Sequence, residues 1–208
     1  MNGRAAERDL NSLYREQFKE HGVDVRSLLW PTRERQRAGF RAMVSNVGMA
    51  LTNATILDVG CGFGDLPVYL LENGYYVHRY VGIDPIQEFI EVARQRCSGM
   101  DWADFEVASL ETYGNSHARY NYVVALGLLS TTHRWEWGNM LARMWAMATD
   151  GIVFTCLTEH VYKGALRSYE PGDVLHLVQH VSALWKIDAS YGEQEFCVTV
   201  HKEPVGSE

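Results

Sequence analysis

Residues 55–65 read TILDVGCGFGD, and this stretch decides the fold. A β-type apolar run passes directly into Gly60, Gly62 and Gly64, which occupy alternate positions, and an amphipathic pattern begins at Asp65. Because glycine lacks a Cβ, the turn can adopt dihedral angles that other residues avoid, and a ligand can lie against the main chain. The stretch therefore predicts a strand, a tight ligand-binding turn and a helix.

The residues downstream continue this alternation of strand and helix. The β-rich runs are TILDV, YVHRYVGI, DFEVA, YNYVVAL and GIVFTCL, and helical apolar spacing occurs over residues 65–72, 86–97, 135–148 and 171–184. The last two runs, WKIDASY and EFCVTVH, are joined by Gly192 and Glu193 and predict a hairpin. Strands that alternate with helices in this way are typical of βαβ units.

The residues before the first strand have helical spacing. Leu10, Tyr14 and Phe18 recur at four-residue steps, and a second helix is predicted from residue 32 towards residue 49, after a loop that contains Trp30. We therefore expect an α/β fold, with a Rossmann-like, seven-stranded, mostly parallel sheet, a C-terminal antiparallel hairpin and a helical N-terminal cap.

Length and composition predict one folded domain. The chain has 208 residues, of which 47% are hydrophobic and 22% are charged, which is enough for a single apolar core. We predict a helical N-terminal cap at residues 1–52, which belongs to the same domain as the core at residues 53–203, and a loose tail at residues 204–208.

Charge and cysteine content exclude several classes of protein. The formal net charge of −7 disfavours a nucleic-acid partner. Cys61, Cys97, Cys156 and Cys197 are widely spaced without a CxxC pair, so neither a metal site nor a disulfide framework is expected. The N-terminus is too polar for a secretion signal, and no apolar run reaches the ~20 residues of a membrane span. We expect a cytoplasmic protein with reduced thiols and no membrane partner.

Carboxylates surround the glycine turn. A dinucleotide site needs GxGxxG spacing and a helix that faces a pyrophosphate, whereas Asp65 stands three positions after Gly62 and would repel phosphate. S-adenosylmethionine (SAM) has no phosphate and carries a sulfonium cation and an amino group, which Asp58 and Asp65 suit. Asp84 ends the next predicted strand, at the position of a ribose ligand. These residues favour SAM over a nicotinamide cofactor.

Two motifs carry a family resemblance. ILDVGCGFGD and VGIDP resemble the first two motifs of the class I SAM-dependent methyltransferases, and the order of elements over residues 55–202 is similar to that family's. The resemblance implies a methyltransferase that consumes SAM and releases S-adenosylhomocysteine (SAH). The upstream stretch HGVDVRSLLWPTRERQ resembles, more weakly, the N-terminal cap of a poorly characterised bacterial and phage-type subgroup.

The resemblance also implies a set of cofactor contacts. Asp58, Gly60 and Gly62 would line the methionine half of SAM, and Asp84 would hold the ribose. The family's third motif usually ends in an acid that binds adenine, but this chain has Ser109 there, so either the Ser109 hydroxyl or the nearby Glu111 would replace it. The full expected set is Asp58, Gly60, Cys61, Gly62, Asp65, Asp84, Pro85, Ile86, Ser109 and Leu126.

The segments after strands four and five contain the candidates for a general base. LGLLSTTHRWEW lacks both the Asn/Asp-Pro-Pro-aromatic motif of enzymes that methylate amino groups of bases and proteins and the Pro-Cys nucleophile of cytosine-C5 enzymes. His133 follows strand four, and Glu159 and His160 follow strand five. Ligands of open α/β sheets bind at these strand ends, so these three residues are the catalytic candidates.

Aromatic and basic residues are the candidates for substrate contacts. Tyr14 and Trp30 on the cap are expected to act as a lid, with apolar packing as the alternative, and Trp135 is a candidate for stacking on the substrate. Arg35 belongs to a basic cluster on the second helix, with Arg33, Arg37 and Arg41. This cluster predicts either a solvated helix face or recognition of one carboxylate or phosphate.

Taken together, these residues and the family resemblance predict a methyltransferase that modifies an oxygen or nitrogen atom of a small molecule. One alternative is an RNA or nucleotide methyltransferase, which the arginine cluster permits and the net charge disfavours. The other is a non-catalytic SAM-binding accessory protein. The sequence predicts neither the acceptor atom nor the oligomeric state.

Overall fold

The computed structural model describes residues 3–113, 118–158, 166–192 and 194–203, with side chains described from residue 10 onward. The helices are α1 (Gly3–His21), α2 (Arg33–Val47), α3 (Asp65–Glu72), α4 (Gln87–Arg96), α5 (Arg134–Met147) and α6 (Pro171–Val178). The strands are β1 (Thr55–Val59), β2 (Arg79–Asp84), β3 (Ala103–Val107), β4 (Tyr120–Ala125), β5 (Ala148–Leu157), β6 (Trp185–Asp188) and β7 (Glu195–His201). Short 3₁₀ turns occupy Val25–Leu28, Gly48–Leu51 and Leu129–Thr131.

The strands of the described residues form a seven-stranded sheet in the order β3-β2-β1-β4-β5-β7-β6. Strands β1 to β5 are parallel to one another, whereas β7 runs antiparallel to both β5 and β6. This arrangement confirms the predicted Rossmann-like fold with its antiparallel C-terminal strands. The strand order reverses between β1 and β4, so a crevice opens at the carboxyl ends of these two strands.

Each face of the sheet is covered by helices. On one face, α5 buries Trp137, Leu141 and Met144, which lie along one side of the helix as their helical spacing predicts. On the other face, buried residues such as Met43 of α2 and Ile90 of α4 pack against the same strands. Burial of each large apolar side chain stabilises the fold by about 1.5 to 3 kcal/mol relative to exposure.

Several element boundaries differ from the predicted ones. Strand β2 begins at Arg79 rather than Tyr76, because residues 75–78 belong to the connection from α3, where the His78 amide donates to the Ala54 carbonyl just before β1 (2.8 Å). Strand β5 begins at Ala148, so α5 passes into it without a loop. Helix α6 ends at Val178 rather than at residue 184.

The early end of α6 has a local cause. Beyond Val178, the Ser182 hydroxyl donates to the His201 carbonyl (2.7 Å) and the His201 amide donates to the Leu184 carbonyl (2.8 Å). These bonds attach the segment to the end of β7 and compete with the hydrogen bonds of a continued helix.

An aromatic cluster attaches α1 to the rest of the molecule. Phe18 lies 5.6 Å from both Phe63 of the glycine turn and Phe89 of α4, measured between ring centroids, and Tyr14 contacts Phe89 edge-on at 6.0 Å. The Arg15 guanidinium also pairs with Glu88 of α4 at 3.2 Å. These contacts hold the first helix directly over the glycine turn.

The four cysteines are free thiols, and all four are buried: Cys61, Cys97, Cys156 and Cys197. Burial raises the pKa of each thiol above its ordinary value. Across the described ranges, none of the helices combines the length and the apolar character that crossing a membrane requires.

Candidate functional site

A cavity of about 860 Å³ lies at the carboxyl ends of β1, β2, β4 and β5, and residues of α1 and of the Val25–Leu28 turn also line it. This is the crevice that the reversal of strand order creates. The volume is near the upper end of the range of about 300 to 1,000 Å³ that is common for ligand sites. The cavity therefore has room for a nucleoside cofactor and a second, compact molecule.

The glycine turn forms one wall of the cavity. Gly60, Gly62 and Gly64 all have left-handed backbone angles, with φ of 76°, 54° and 70°. The Gly60 amide donates to the Ile83 carbonyl at 2.8 Å, which fixes the turn to β2. A Cβ on Gly62 would lie 2.9 Å from the Leu28 side chain, so the cap packs directly on the turn. Only glycine fits this combination of backbone angle and close approach.

Asp84 ends β2 at the bottom of the cavity. Its Oδ1 accepts from the Ile86 amide (2.9 Å) and its Oδ2 from the Gly62 amide (3.1 Å). Burial raises the pKa of this carboxyl to about 6, against the lowering effect of the two amides. Each oxygen retains a second lone pair. A carboxylate held in this way can accept hydrogen bonds from two vicinal hydroxyls, as the ribose position requires.

Asp58 is held by a residue that the sequence reading did not select. The Tyr80 hydroxyl of β2 donates to Asp58 Oδ2 at 2.5 Å, and both side chains are buried. Burial raises the pKa of Asp58 to about 7, the bond from Tyr80 lowers it, and the charge of Asp84 raises it further. A buried tyrosine normally finds a hydrogen-bond partner, but the sequence gives no sign of which partner it finds here.

Asp65 opens α3 and already has two partners. The Arg96 guanidinium of α4 lies 2.8 Å from Asp65 Oδ1, and the side-chain amide of Gln36 on α2 donates to Oδ2 at 3.0 Å. The carboxylate lines the cavity, but its charge is balanced by Arg96. Neither Arg96 nor Gln36 was among the residues predicted for the site.

The other residues predicted to bind the cofactor also line the cavity: Gly60, Cys61, Gly62, Pro85, Ile86, Ser109 and Leu126. Ser109 forms a hydrogen bond within its own turn, because its backbone amide donates to the Thr112 hydroxyl at 2.9 Å. Glu111 lines the cavity as well and is exposed. Both candidates for the adenine contact are therefore present at the same rim.

His133 precedes α5 and faces the cavity beside two other side chains. The Glu136 carboxylate accepts from the His133 amide at 2.9 Å, which fixes the start of the helix. The Trp135 ring stacks on the imidazole at 5.9 Å between centroids, with 67% of Trp135 exposed. Arg167 Nη2 lies 3.0 Å from His133 Nε2. Arg167 also lines the cavity, and the sequence reading did not select it.

The remaining catalytic candidates, Glu159 and His160, lie outside the described residues. The described residues on either side of them, Leu157 and Leu166, line the cavity.

The two lid candidates both line the cavity. Burial and the charge of Asp84 raise the pKa of the Tyr14 hydroxyl, and the nearby Thr131 side chain lowers it. Trp30 is buried, and a Cβ on Gly127 would lie 2.9 Å from its ring. Tyr14 therefore connects α1 to the loop after β4, while Trp30 fills the space above that loop.

Arg35 does not contact the cavity, which differs from its predicted role. Its Nη2 lies 3.0 Å from Glu195 Oε1, and its Nη1 donates to Gln194. Glu195 is buried at the start of β7 and needs a cation beside it, because an isolated buried carboxylate is costly. Arg37 pairs with Glu72. Two arginines of the basic cluster therefore bind carboxylates of their own chain.

Comparison with known proteins gives one match to a family model and a set of similar folds. A family model described as a methyltransferase domain matches residues 56–151. No curated protein sequence matches the chain. Many solved structures share its fold.

Three of these structures illustrate the likeness. One is 1,6-didemethyltoxoflavin-N1-methyltransferase of Burkholderia thailandensis, with bound 1,6-didemethyltoxoflavin and SAH; the identity is 16% and the TM-score 0.70, over 95% of this chain and 90% of that one. The second is the N-methyltransferase NodS of Bradyrhizobium japonicum with SAH; the identity is 14% and the TM-score 0.65, over 96% of this chain and 99% of that one. The third is magnesium protoporphyrin IX methyltransferase of Synechocystis with SAM; the identity is 15% and the TM-score 0.66, over 93% of this chain and 97% of that one. At these identities the likeness shows the fold.

Proposed function

We propose that this chain, which carries a class I SAM-dependent methyltransferase domain and takes SAM as its cofactor, transfers the methyl group to an oxygen or nitrogen atom of a small molecule. The observation that carries the proposal is the continuous cavity, which runs from the glycine turn and Asp84 to the corner formed by His133 and Arg167 under helix α1. A covered site of this kind suits a compact acceptor better than a polymer.

The cofactor half of the site is assigned from its contacts. Asp84 accepts the two ribose hydroxyls, since each of its oxygens keeps one lone pair after binding a backbone amide. Pro85 and Ile86 flank the adenine, and Ser109 or Glu111 contacts its amino group. The acidic wall of Asp58 and Asp65 faces the cationic end of SAM.

The acceptor half of the site has a separate task. SAM supplies the methyl group as part of a sulfonium cation, so much of the rate can come from aligning the acceptor behind that carbon. His133 is the candidate base for an acceptor that carries a hydroxyl or ammonium proton. Tyr14 and Trp30, on the cap, exclude water from this space. The exposed Trp135 ring offers a flat surface to the acceptor.

The structural relatives are consistent with this assignment. One was solved with 1,6-didemethyltoxoflavin and SAH bound together, and another is an enzyme named for its methylation of magnesium protoporphyrin IX. In both, the bound or named compound is small compared with a protein or nucleic acid. These relatives support a small acceptor as a class, and their own compounds are not assigned to this chain.

Calorimetric titration of SAM and SAH into wild type and Asp84→Ala tests the cofactor site. We expect wild type to bind both ligands and the variant to lose about 1.5 to 3 kcal/mol of binding free energy, the range for hydrogen bonds to a charged group. Asp104→Ala is the matched control, because Asp104 is an exposed aspartate on neighbouring β3 that pairs with Arg79. SAH release is then measured over a panel of hydroxyl- and amine-bearing small molecules. Absence of binding to both ligands, or of turnover across the panel, counts against the proposal.

A further inference from the structure

Arg167 stands at the acceptor end of the cavity on a fixed backbone. Its amide donates to the Ser130 carbonyl at 2.6 Å, in the turn that follows β4. Two residues later, the Tyr169 amide donates to the Leu157 carbonyl (2.7 Å) and the Tyr169 hydroxyl donates to the Thr132 carbonyl (2.8 Å). The guanidinium is therefore presented to the cavity from a defined position.

The partner of Arg167 is the imidazole ring of His133 rather than a carboxylate. Nearby Arg134 pairs with Asp173 at 3.0 Å, and Arg35 pairs with Glu195 at 3.0 Å. In the part of the chain that the structure describes, no carboxylate lies within 4.0 Å of Arg167. A guanidinium that lines a cavity and pairs with no carboxylate among the described residues is suited to bind a carboxylate or a phosphate in a bidentate way.

The contact with Arg167 also determines what His133 can do. A guanidinium has only donors, so Nε2 of His133 must be the acceptor and the ring proton must reside on Nδ1. The lone pair that would take a proton from an acceptor is therefore occupied. His133 becomes a base only when Arg167 turns to another partner.

We infer that the acceptor carries an anionic group, a carboxylate or a phosphate, which binds Arg167 and so releases His133 Nε2 to act as the general base. This inference rests on the proposed function and specifies its substrate class. The Trp135 ring, stacked on His133 and exposed at the same corner, suits an acceptor whose reacting group lies on a planar ring. The site then selects aromatic or similarly flat acids.

The proton and electron balance of the step is simple. The acceptor oxygen or nitrogen donates a lone pair to the methyl carbon as the bond from carbon to sulfur breaks, and its proton passes to His133 Nε2. The sulfonium becomes the neutral thioether of SAH, and the imidazole becomes a cation beside Arg167. That cation repels Arg167, so the guanidinium stays on the product anion until the ring loses its proton to solvent.

Nitrogen NMR of the histidine side chains, combined with ligand titration, tests the inference without turnover. The His133 signals are assigned from their loss in His133→Gln, and the protein is studied with and without SAH. The probes are benzoate, the neutral benzamide of the same shape, and phenyl phosphate, which separates carboxylate from phosphate recognition. Arg167→Gln is the test variant, and Arg134→Gln is the control, since Arg134 already pairs with Asp173.

We expect His133 in the free wild type to carry its proton on Nδ1, and a bound acid to remove this constraint. Benzoate or phenyl phosphate should bind saturably and at least about tenfold more tightly than benzamide. Arg167→Gln should abolish this preference and release the tautomer without any ligand, whereas Arg134→Gln should resemble wild type. Equal binding of acid and amide, no saturable binding of either acid, or acid binding that survives Arg167→Gln would overturn the inference. Failure of SAH to bind in calorimetry would instead refute the proposed function.

Discussion

Two buried carboxyls, Asp58 and Asp84, combine a proposed role in ligand binding with a cost to the folded state. Burial raises the pKa of Asp58 to about 7 and that of Asp84 to about 6. The folded protein therefore binds more protons than the unfolded chain between about pH 4 and pH 7. The stability that these protonated groups provide is fully present below the unfolded pKa and is lost as pH rises through the folded values.

Asp84→Asn tests this cost. The asparagine cannot ionise, so the variant should gain stability relative to wild type as pH rises from about 3 to about 8, by about 3 kcal/mol, the equivalent of a two-unit pKa shift. A constant loss of about 1 kcal/mol for one weakened amide contact is superimposed. Urea unfolding at several pH values measures the difference. A gap between the two proteins that does not change with pH would contradict the assignment of the raised pKa to Asp84.

At the scale of elements, α1 is attached to the body of the molecule partly through one hydroxyl. Tyr14→Phe keeps the ring contact with Phe89 and removes the hydroxyl that interacts with the Thr131 side chain. We expect SAH to dissociate several-fold faster, about fivefold for a polar contact worth about 1 kcal/mol, with little change in unfolding temperature. Stopped-flow fluorescence measures the rate. Tyr76→Phe is the control, since Tyr76 is 71% exposed and lies outside the cavity; equal rates in both variants would exclude a lid role for this hydroxyl.

The pairing of α2 with β7 depends on the ion pair of Arg35 and Glu195. Glu195 has a side chain that is only 4% exposed, so Arg35→Met leaves a buried carboxylate without a cation and should destabilise the protein by about 3 kcal/mol. The double variant with Glu195→Gln should recover most of this loss. Arg79→Met, which breaks the exposed pair with Asp104, should cost less than about 1 kcal/mol. Thermal and urea unfolding measure all three.

A structural feature can be predicted from sequence when the residues that cause it are close together in the chain. The glycine turn is such a feature, because three glycines at alternate positions in one segment allow the left-handed backbone angles that the turn needs. The pairs Arg35 with Glu195, Arg96 with Asp65 and Arg167 with His133 join distant parts of the chain, and no spacing in the sequence connects them. The sequence therefore predicts the cofactor wall in detail but not which charges remain free to meet a substrate.

For the whole molecule, the net charge of −7 bears on the class of partner. A polyanion is repelled on average. On α2, Glu195 neutralises the charge of Arg35 and Glu72 that of Arg37. We expect no saturable binding of a labelled RNA oligonucleotide at low salt, measured by fluorescence anisotropy. Tight binding that weakens steeply with added salt would favour the RNA methyltransferase alternative.

The sheet as a whole shows what the sequence predicts about topology. Alternation of runs predicts the number of strands and an antiparallel end, and both are found. The insertion of β7 between β5 and β6 depends on register, in which Gly151 pairs with His201 and Leu157 with Glu195. A Cβ on Gly151 would lie 2.5 Å from the Val200 carbonyl oxygen, so the fit is set by contact between distant segments. Strand order could not be read from local pattern.

Because all four thiols are buried, probes for the position of the cap can be attached to introduced cysteines. Protonated, solvent-excluded sulfur reacts slowly with maleimides and nitroxide reagents, because the thiolate is the reacting species. One cysteine introduced at exposed Glu20 on α1 and another at exposed Trp185 on β6 would then be the preferred attachment points for a dye or spin pair, with the native residues left in place. Interprobe distances recorded with and without SAH would show whether the first helix moves when this ligand binds, and by how much.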